Sequence, residues 1–290
     1  MKHKIAFFEV EDCQNKYLKE KLKSGNYNIK FFDGELTARN ASKVSNCEGI
    51  GVFIYSEVDK KVLDKLPNLK FLTTMSTGYD HIDVKACKER GIKVSNVPSY
   101  GENTVAEHAI GLMIALAKNL PQAIKRTKKG NFDIEGLEGI DMKGKTLGVI
   151  GCGHIGTHVV KIAQALEMNV LVNTKTCDMK LAKNLGFKYV GLNELLKRSD
   201  IITLHTPLTK ETQHMINMKN IRKIKKGAYI INTARGGLID TKALVYALNK
   251  GIVHGAALDV LEGEDELKEE RHLSKKKYTK AERELFKENH

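Results

Sequence analysis

Three glycines within six positions, Gly151, Gly153 and Gly156, separate one apolar run from a second apolar run with helical spacing. A strand, a G-x-G-x-x-G loop and a helix in this order bind the diphosphate of a dinucleotide. The first glycine permits the tight turn, the second lets backbone approach the phosphates, and the third lets helix pack on strand. Amide groups at the helix start, those of His154 and Ile155 included, would face the anion. The alternative, a tight turn without a ligand, is disfavoured by the strand and helix on either side.

The next apolar run, residues 169–174, ends without the acidic residue that an NAD site typically offers to the ribose 2′-hydroxyl. Asn173, Thr174 and Lys175 stand there instead, and they exert no repulsion on a 2′-phosphate. Asp178 lies further along and is expected to cap the following helix. Thr174 is therefore a candidate cofactor-binding residue, and the sequence leaves NAD and NADP as even alternatives.

The composition is that of an ordinary globular protein, with 41% hydrophobic and 29% charged residues among 290. No apolar stretch approaches the roughly 20 residues that cross a bilayer, so no membrane association is expected. The five cysteines are scattered, odd in number and without a C-x-x-C pair, which indicates neither a disulfide framework nor a metal site. We expect a cytoplasmic protein.

The formal net charge of +13 raises nucleic acid as a possible partner. The lysines are spread along the whole chain, usually beside acidic residues, and no nucleic-acid-binding motif accompanies them. The charge therefore predicts a lysine-rich solvated surface, and no nucleic-acid partner is expected.

Strand-like and helix-like segments alternate along most of the chain, which predicts parallel sheets with helical crossovers. A long apolar helix over residues 103–120 interrupts the alternation, and its apolar circumference predicts burial on more than one side or a homodimer interface. A boundary near Pro98 gives two α/β domains, residues 1–98 and 99–290.

Several ordered motifs extend beyond the glycine loop: "MSTGYDHIDV", "NVPSYGENTVAEHAIGLMIALAKN", "SDIITLHTPLTKETQHMIN", "IKKGAYIINTARGGLID" and "GAALDVLEGE". Together they closely resemble the D-isomer-specific 2-hydroxyacid dehydrogenases over nearly the whole chain. The resemblance implies two Rossmann-like parallel-sheet domains, a flavodoxin-like substrate domain followed by an NAD(P)-binding Rossmann domain. It also implies hydride transfer between NAD(P)H and a small 2-keto acid to give the D-2-hydroxy acid, as in D-lactate dehydrogenase.

The resemblance assigns the catalytic roles to Arg235, in "NTARGG", and Glu264, which follows "LDV". A planar guanidinium can grip a carboxylate and polarise the neighbouring carbonyl, which suits a 2-keto acid. Thr77, Gly78 and Tyr100 match substrate-binding positions. A simple strand-to-helix turn is the alternative for Thr77 and Gly78, and core packing at the domain hinge is the alternative for Tyr100. The remaining matches are cofactor-contacting positions near strand ends: Thr206, Pro207, Thr212, Thr233, Ala234 and Asp259.

Two features depart from the family pattern. The proline that usually follows the catalytic glutamate is replaced by Asp265. The acidic run around Glu264 also has a simpler interpretation, namely a surface that is only exposed to solvent. The family's catalytic histidine belongs to a Pro-His segment that the sequence does not contain, so a truncated chain is expected. This keeps open a second function, a dinucleotide-binding sensor or interaction protein with impaired catalysis.

Overall fold

The chain divides into two compact units, Met1–Tyr100 and Gly101–His290. A computed structural model describes residues 2–263. The boundary predicted near Pro98 lies close to this division, and the separate roles predicted for the two parts stay predictions. In the described part of the chain, no helix is both long enough and apolar enough to cross a membrane.

The first unit is built on a five-stranded parallel sheet of order β2-β1-β3-β4-β5, the order of flavodoxin-like proteins. Its strands are β1 His3–Phe7, β2 Tyr27–Phe31, β3 Gly49–Val52, β4 Phe71–Thr74 and β5 Lys93–Ser95. Its helices are α1 Asp12–Lys21, α2 Lys60–Leu63 and α3 Val84–Glu89. The central strand β3 is buried at every position, as a parallel strand covered on both faces must be.

The second unit is built on a six-stranded parallel sheet of order β11-β10-β9-β6-β7-β8, which is the Rossmann order. Its strands are β6 Thr146–Ile150, β7 Asn169–Asn173, β8 Lys188–Tyr189, β9 Ile201–Leu204, β10 Ala228–Asn232 and β11 Val253–Leu258. Its helices are α4 Glu102–Ala117, α5 Leu120–Lys128, α6 His154–Ala165, α7 Met179–Leu185, α8 Leu192–Arg198 and α9 Thr241–Asn249. Two apolar clusters form its core, one of them containing the inner faces of α4 and α6.

The predicted fold class is confirmed, because both units are parallel-sheet α/β structures. The single helix predicted over residues 103–120 is wrong in its extent. Helix α4 ends at Ala117, Asn119 takes a left-handed conformation with φ of +51°, and α5 begins at Leu120 with a proline in its first turn. A proline fits the first turn of a new helix but not the interior of a continuing one.

Helix α4 buries one face in the core of its own unit. The buried side chains are Ala106, Ala109, Ile110, Met113 and Ala117. Most of them are three or four residues apart, which is the helical period, so they share one face of the helix. The three alanines on this face let α4 pack closely on its neighbours.

The strand order of the second unit reverses between β6 and β9. In open parallel sheets the carboxyl ends of the strands at such a switch point are where ligands bind. Five predicted cofactor-binding residues lie one or two positions after a strand end: Gly151 after β6, Thr174 after β7, Thr206 after β9, Thr233 after β10 and Asp259 after β11.

Candidate functional site

The glycine loop, residues 151–156, joins β6 to α6, and two of its glycines are required by the protein's own backbone. Gly151 has φ of +93°, and a Cβ built there would lie 2.5 Å from the carbonyl oxygen of His205. A Cβ on Gly156 would collide with the carbonyl oxygen of Gly151. By contrast, a Cβ on Gly153 would meet no atom of the described residues within 4 Å. Gly153 therefore leaves open space that internal packing does not explain, as expected where a ligand approaches the backbone.

Helix α6 begins in this loop with Gly153 as its N-cap and no side-chain cap. The first amide groups of a helix have no partner within the helix and carry partial positive charge, so they attract an anion. His154 is exposed at this end, whereas Ile155 is half-buried against the core. Burial raises the pKa of the neighbouring Cys152 thiol, which keeps this side chain neutral beside a bound anion.

The end of β7 lies beside the glycine loop, because the amide of Gly151 donates to the carbonyl oxygen of Asn173 at 2.8 Å. The Asn173 side chain is engaged with the carbonyl of Val190 at 3.0 Å. Thr174 follows, half-buried, and Lys175 is exposed.

The predicted capping role of Asp178 is confirmed. Its carboxylate accepts from the amides of Lys180 and Leu181 at 2.9 and 3.0 Å at the start of α7. This carboxylate is therefore committed to the helix rather than to a ribose hydroxyl.

Thr206 and Pro207 follow β9, in a loop that Thr212 stabilises. The Thr212 hydroxyl donates to the carbonyl of Pro207 and accepts from the amide of Thr209, each at 2.7 Å. Thr212 thus holds the shape of the loop through contacts within the protein. Burial lowers the pKa of the preceding His205 to about 4, so this imidazole is neutral at physiological pH and poorly suited to donate a proton.

The turn after β10 carries Thr233, Ala234 and Arg235, and the buried Asn232 side chain shapes it. Its amide nitrogen donates to the carbonyl of Arg235 at 3.0 Å, and its oxygen accepts from the amide of Ala234 at 3.1 Å. One Nη atom of Arg235 donates to the carbonyl of Ala234 at 2.7 Å. The half-buried guanidinium is thereby held near the carboxyl edge of the sheet.

The Thr233 hydroxyl is buried and has no hydrogen-bond partner within the part of the chain that the structure describes. An unsatisfied buried hydroxyl is costly, and a hydrogen bond to a bound ligand would satisfy it. Together with the open space at Gly153, Thr233 fits a polar cofactor bound along these strand ends.

Two predicted residues follow β11. Asp259 lies beside β10, because its amide donates to the carbonyl of Asn232 at 2.9 Å, and its carboxylate lies 3.4 Å from Nε2 of His108 on α4. Glu264, predicted to be catalytic, lies outside the described residues.

A network of His214, Glu262 and Thr241 was not recognised in the sequence. Nε2 of His214 is hydrogen-bonded to one carboxylate oxygen of Glu262. The other oxygen accepts from the Thr241 hydroxyl at 2.8 Å and from its amide at 3.1 Å. Burial favours the neutral carboxyl, but the bonds from His214 and Thr241 outweigh it and lower the pKa of Glu262. The network joins the loops after β9 and β11 to the start of α9. Its member Glu262 lies two positions before Glu264 in the sequence.

In the first unit, the loop that follows β4 contains Thr77 and Gly78. The Thr77 hydroxyl donates to the carbonyl of Val97 at 2.9 Å, and Asn96 donates to the carbonyl of Thr77 at 2.8 Å. The buried Ser76 hydroxyl donates to the carbonyl of Gly78 at 2.7 Å. Side chains thus stabilise the loop, and its predicted contact with the substrate carboxylate stays a prediction.

Tyr100, the last residue of the first unit, is 64% exposed. Its predicted contact with the substrate stays a prediction. No cluster of three metal-ligating side chains occurs among residues 2–263.

Comparisons with known proteins agree with this description. Residues 110–281 match the family model described as the D-isomer specific 2-hydroxyacid dehydrogenase, NAD binding domain. A 2-hydroxyacid dehydrogenase homolog from Zymomonas mobilis is 36% identical over 272 residues, which are 93% of this chain and 82% of that protein. D-lactate dehydrogenase from Escherichia coli is 37% identical over 266 residues, 91% of this chain and 80% of that one.

The crystal structure of D-lactate dehydrogenase from Aquifex aeolicus, complexed with NAD and lactic acid, superposes with a TM-score of 0.89. It is 37% identical, and the match covers 98% of this chain and 84% of that one. The Rossmann sheet and glycine loop, together with these matches, define an NAD-dependent oxidoreductase. Within that class, the chain belongs to the D-isomer-specific 2-hydroxyacid dehydrogenase family.

Proposed function

We propose that this protein reduces a small 2-keto acid to the D-2-hydroxy acid with a nicotinamide coenzyme. The observation that carries the proposal is the division of roles in the glycine loop. Gly151 and Gly156 are required by the protein's own backbone, whereas Gly153 leaves open space beside an uncapped helix start. That is the arrangement in which backbone amides contact a diphosphate.

The remaining strand ends would hold the rest of the coenzyme. The buried, unpartnered hydroxyl of Thr233 offers it a donor, and Thr206, Pro207 and Ala234 offer backbone beside it. Thr212 contributes indirectly by fixing the loop after β9. When bound, the reduced nicotinamide supplies the hydride.

Arg235 would bind and orient the keto acid. A guanidinium donates several parallel hydrogen bonds, so it can hold a carboxylate and polarise the adjacent carbonyl. The amides around Thr77 and Gly78 would bind the substrate carboxylate, and Tyr100 would limit the size of the substrate. The carbonyl oxygen also takes up a proton, which in the family comes from a histidine held by a glutamate. Glu264 would hold such a donor and favour its charged form, and no described residue is assigned as the donor.

The test is a titration with NADH and NADPH followed by addition of pyruvate, glyoxylate or hydroxypyruvate, with the nicotinamide absorbance recorded. Oxidation of the coenzyme, with formation of the D-acid from pyruvate or hydroxypyruvate, supports the proposal. Binding without oxidation by any of the three acids would instead favour the dinucleotide-binding sensor.

A homodimer is also part of the proposal. Contact through the long apolar helix stays a prediction, and the segment that follows α4 offers further exposed apolar surface. Helix α4 buries one face in its own unit, whereas α5 has no buried side chain and exposes Ile124. Phe132 and Ile134, in the following segment, are 78% and 79% exposed. Exposed apolar patches of this kind mark interfaces. Phe132→Ser together with Ile134→Ser should shift the sedimentation coefficient toward that of a monomer.

The cytoplasmic location stays a prediction, consistent with five cysteines that are all unpaired in the described residues.

A further inference from the structure

The residues that follow β7 are unusual for a site that would bind a ribose with a free 2′-hydroxyl. The parallel register pairs Ile150 of β6 with Asn173 of β7, so residue 174 lies beside the start of the glycine loop. A carboxylate at this place accepts hydrogen bonds from the ribose diol of NAD. Thr174 has only a hydroxyl, and the next side chain is the exposed ammonium of Lys175.

The nearest carboxylate along the chain does not replace the missing one. Both amides at the start of α7 donate to the Asp178 carboxylate, and the amide of Asp178 itself lies 3.0 Å from the Tyr189 hydroxyl. These contacts fix the side chain as a helix cap. Asp178 is therefore not available to the ribose without the loss of its contacts with the start of α7.

Building on the function proposed above, we propose that Thr174 and Lys175 form a binding site for the 2′-phosphate of NADP(H), so that this protein prefers NADP(H) to NAD(H). The Thr174 hydroxyl and the Lys175 ammonium donate to the phosphate oxygens. A carboxylate at residue 174 would repel the same group.

The loop after β9 carries an acidic side chain whose charge interacts with that of Lys175. Glu211, after β9, accepts a hydrogen bond from the Thr209 hydroxyl at 2.7 Å. Its pKa is lowered chiefly by that bond and further by the charge of Lys175. Lys175 therefore lies within electrostatic reach of Glu211, and a bound 2′-phosphate would compete with this carboxylate for the ammonium.

The size of the preference follows from the added contacts. A charge-assisted hydrogen bond changes a dissociation constant by about tenfold to hundredfold, and the exposure of Lys175 places the effect toward the lower end. We expect NADPH to bind about tenfold more tightly than NADH. Because the added contact is ionic, the dissociation constant of NADPH should also rise more steeply with salt than that of NADH.

The experiment measures dissociation constants of NADPH and NADH by nicotinamide fluorescence, with 2′,5′-ADP and 5′-AMP as competing fragments. Lys175→Ala should weaken NADPH and 2′,5′-ADP by about tenfold and leave NADH and 5′-AMP unchanged. Thr174→Asp should weaken NADPH and spare or tighten NADH. Glu211→Gln, which removes the competing carboxylate, should tighten NADPH alone.

Lys183→Ala is the matched control, since it removes an exposed lysine from α7 that the proposal leaves out. It should change neither constant. Tighter binding of NADH than of NADPH, or equal effects of Lys175→Ala on both coenzymes, would overturn the 2′-phosphate site and leave the proposed function standing. Failure of all four ligands to bind would overturn the proposed function, and this site with it.

Discussion

Replacement of Gly153 by alanine separates the stability of the glycine loop from its binding role. The backbone at Gly153, with φ of −79° and ψ of −153°, lies in an extended region open to alanine, and the added methyl group meets no described atom within 4 Å. Alanine is a poorer N-cap than glycine, which costs up to about 1 kcal/mol, but it also stabilises by reducing unfolded-chain entropy by about 0.4–1 kcal/mol. The free energy of unfolding should therefore change by less than about 1 kcal/mol.

Dinucleotide binding should respond differently to the same substitution. The methyl group fills the space through which a diphosphate reaches the backbone amides at the start of α6. Loss of one charge-assisted hydrogen bond costs about 1.5–3 kcal/mol, or about tenfold to hundredfold in the dissociation constant. Gly153→Ala should therefore bind NADH and NADPH at least about tenfold more weakly.

Gly156→Ala is the contrasting variant. Its methyl group collides with the Gly151 carbonyl and lies 3.6 Å from a Val149 methyl group, so helix and strand must separate. Such overpacking costs about 1–3 kcal/mol of stability. Urea unfolding without coenzyme and fluorescence titration with it give both quantities for each variant. Unchanged binding in Gly153→Ala, or a loss of stability equal to that of Gly156→Ala, would refute the division of roles in the loop.

Three further predictions concern the other strand ends. Thr233→Val removes a buried hydroxyl without a described partner, so unfolding measurements should show no loss of stability. Coenzyme titration should show weaker binding. A drop in stability with intact binding would contradict this prediction. Arg235→Lys retains the charge but loses the planar set of hydrogen-bond donors. The kcat/KM for the keto acid should therefore fall by at least about tenfold, while the coenzyme dissociation constant stays unchanged. Wild-type kinetics would exclude Arg235 from the substrate site. The folded-state pKa of Glu262 is lowered, so its stabilising effect is present above the unfolded-state value of about 4.3 and is lost as pH falls through the folded-state value. Unfolding of wild type and Glu262→Gln should accordingly show a difference in stability at neutral pH that shrinks below about pH 4, and a constant difference would show that the Glu262 carboxylate is not ionised by its network.

Most of the fold was predictable from the sequence, because short apolar runs bounded by polar segments mark parallel strands directly. The runs containing β3, β6 and β9 are buried at nearly every position, which is why they read as continuous apolar segments. The break between α4 and α5 was missed. It depends on a left-handed Asn119, which helix periodicity does not reveal.

The candidate site was predictable where function depends on local backbone. Gly151 and Gly156 have the turn and packing roles that their spacing predicts. The link between His214 and Glu262 could not be predicted, since the two residues lie 48 positions apart and meet only through the order of β9, β10 and β11. Glu262 belongs to the acidic run around Glu264, for which a solvent-exposed surface is the simpler interpretation from the sequence.

The account rests on a nicotinamide coenzyme bound at the glycine loop and a keto acid oriented by Arg235. Mixing the protein with reduced coenzyme and with pyruvate or hydroxypyruvate, and determining the chirality of the product, tests both parts together. The account predicts saturable coenzyme binding, oxidation of the coenzyme and formation of the D-hydroxy acid. Binding of neither NADH nor NADPH, or formation of the L-acid, would contradict it.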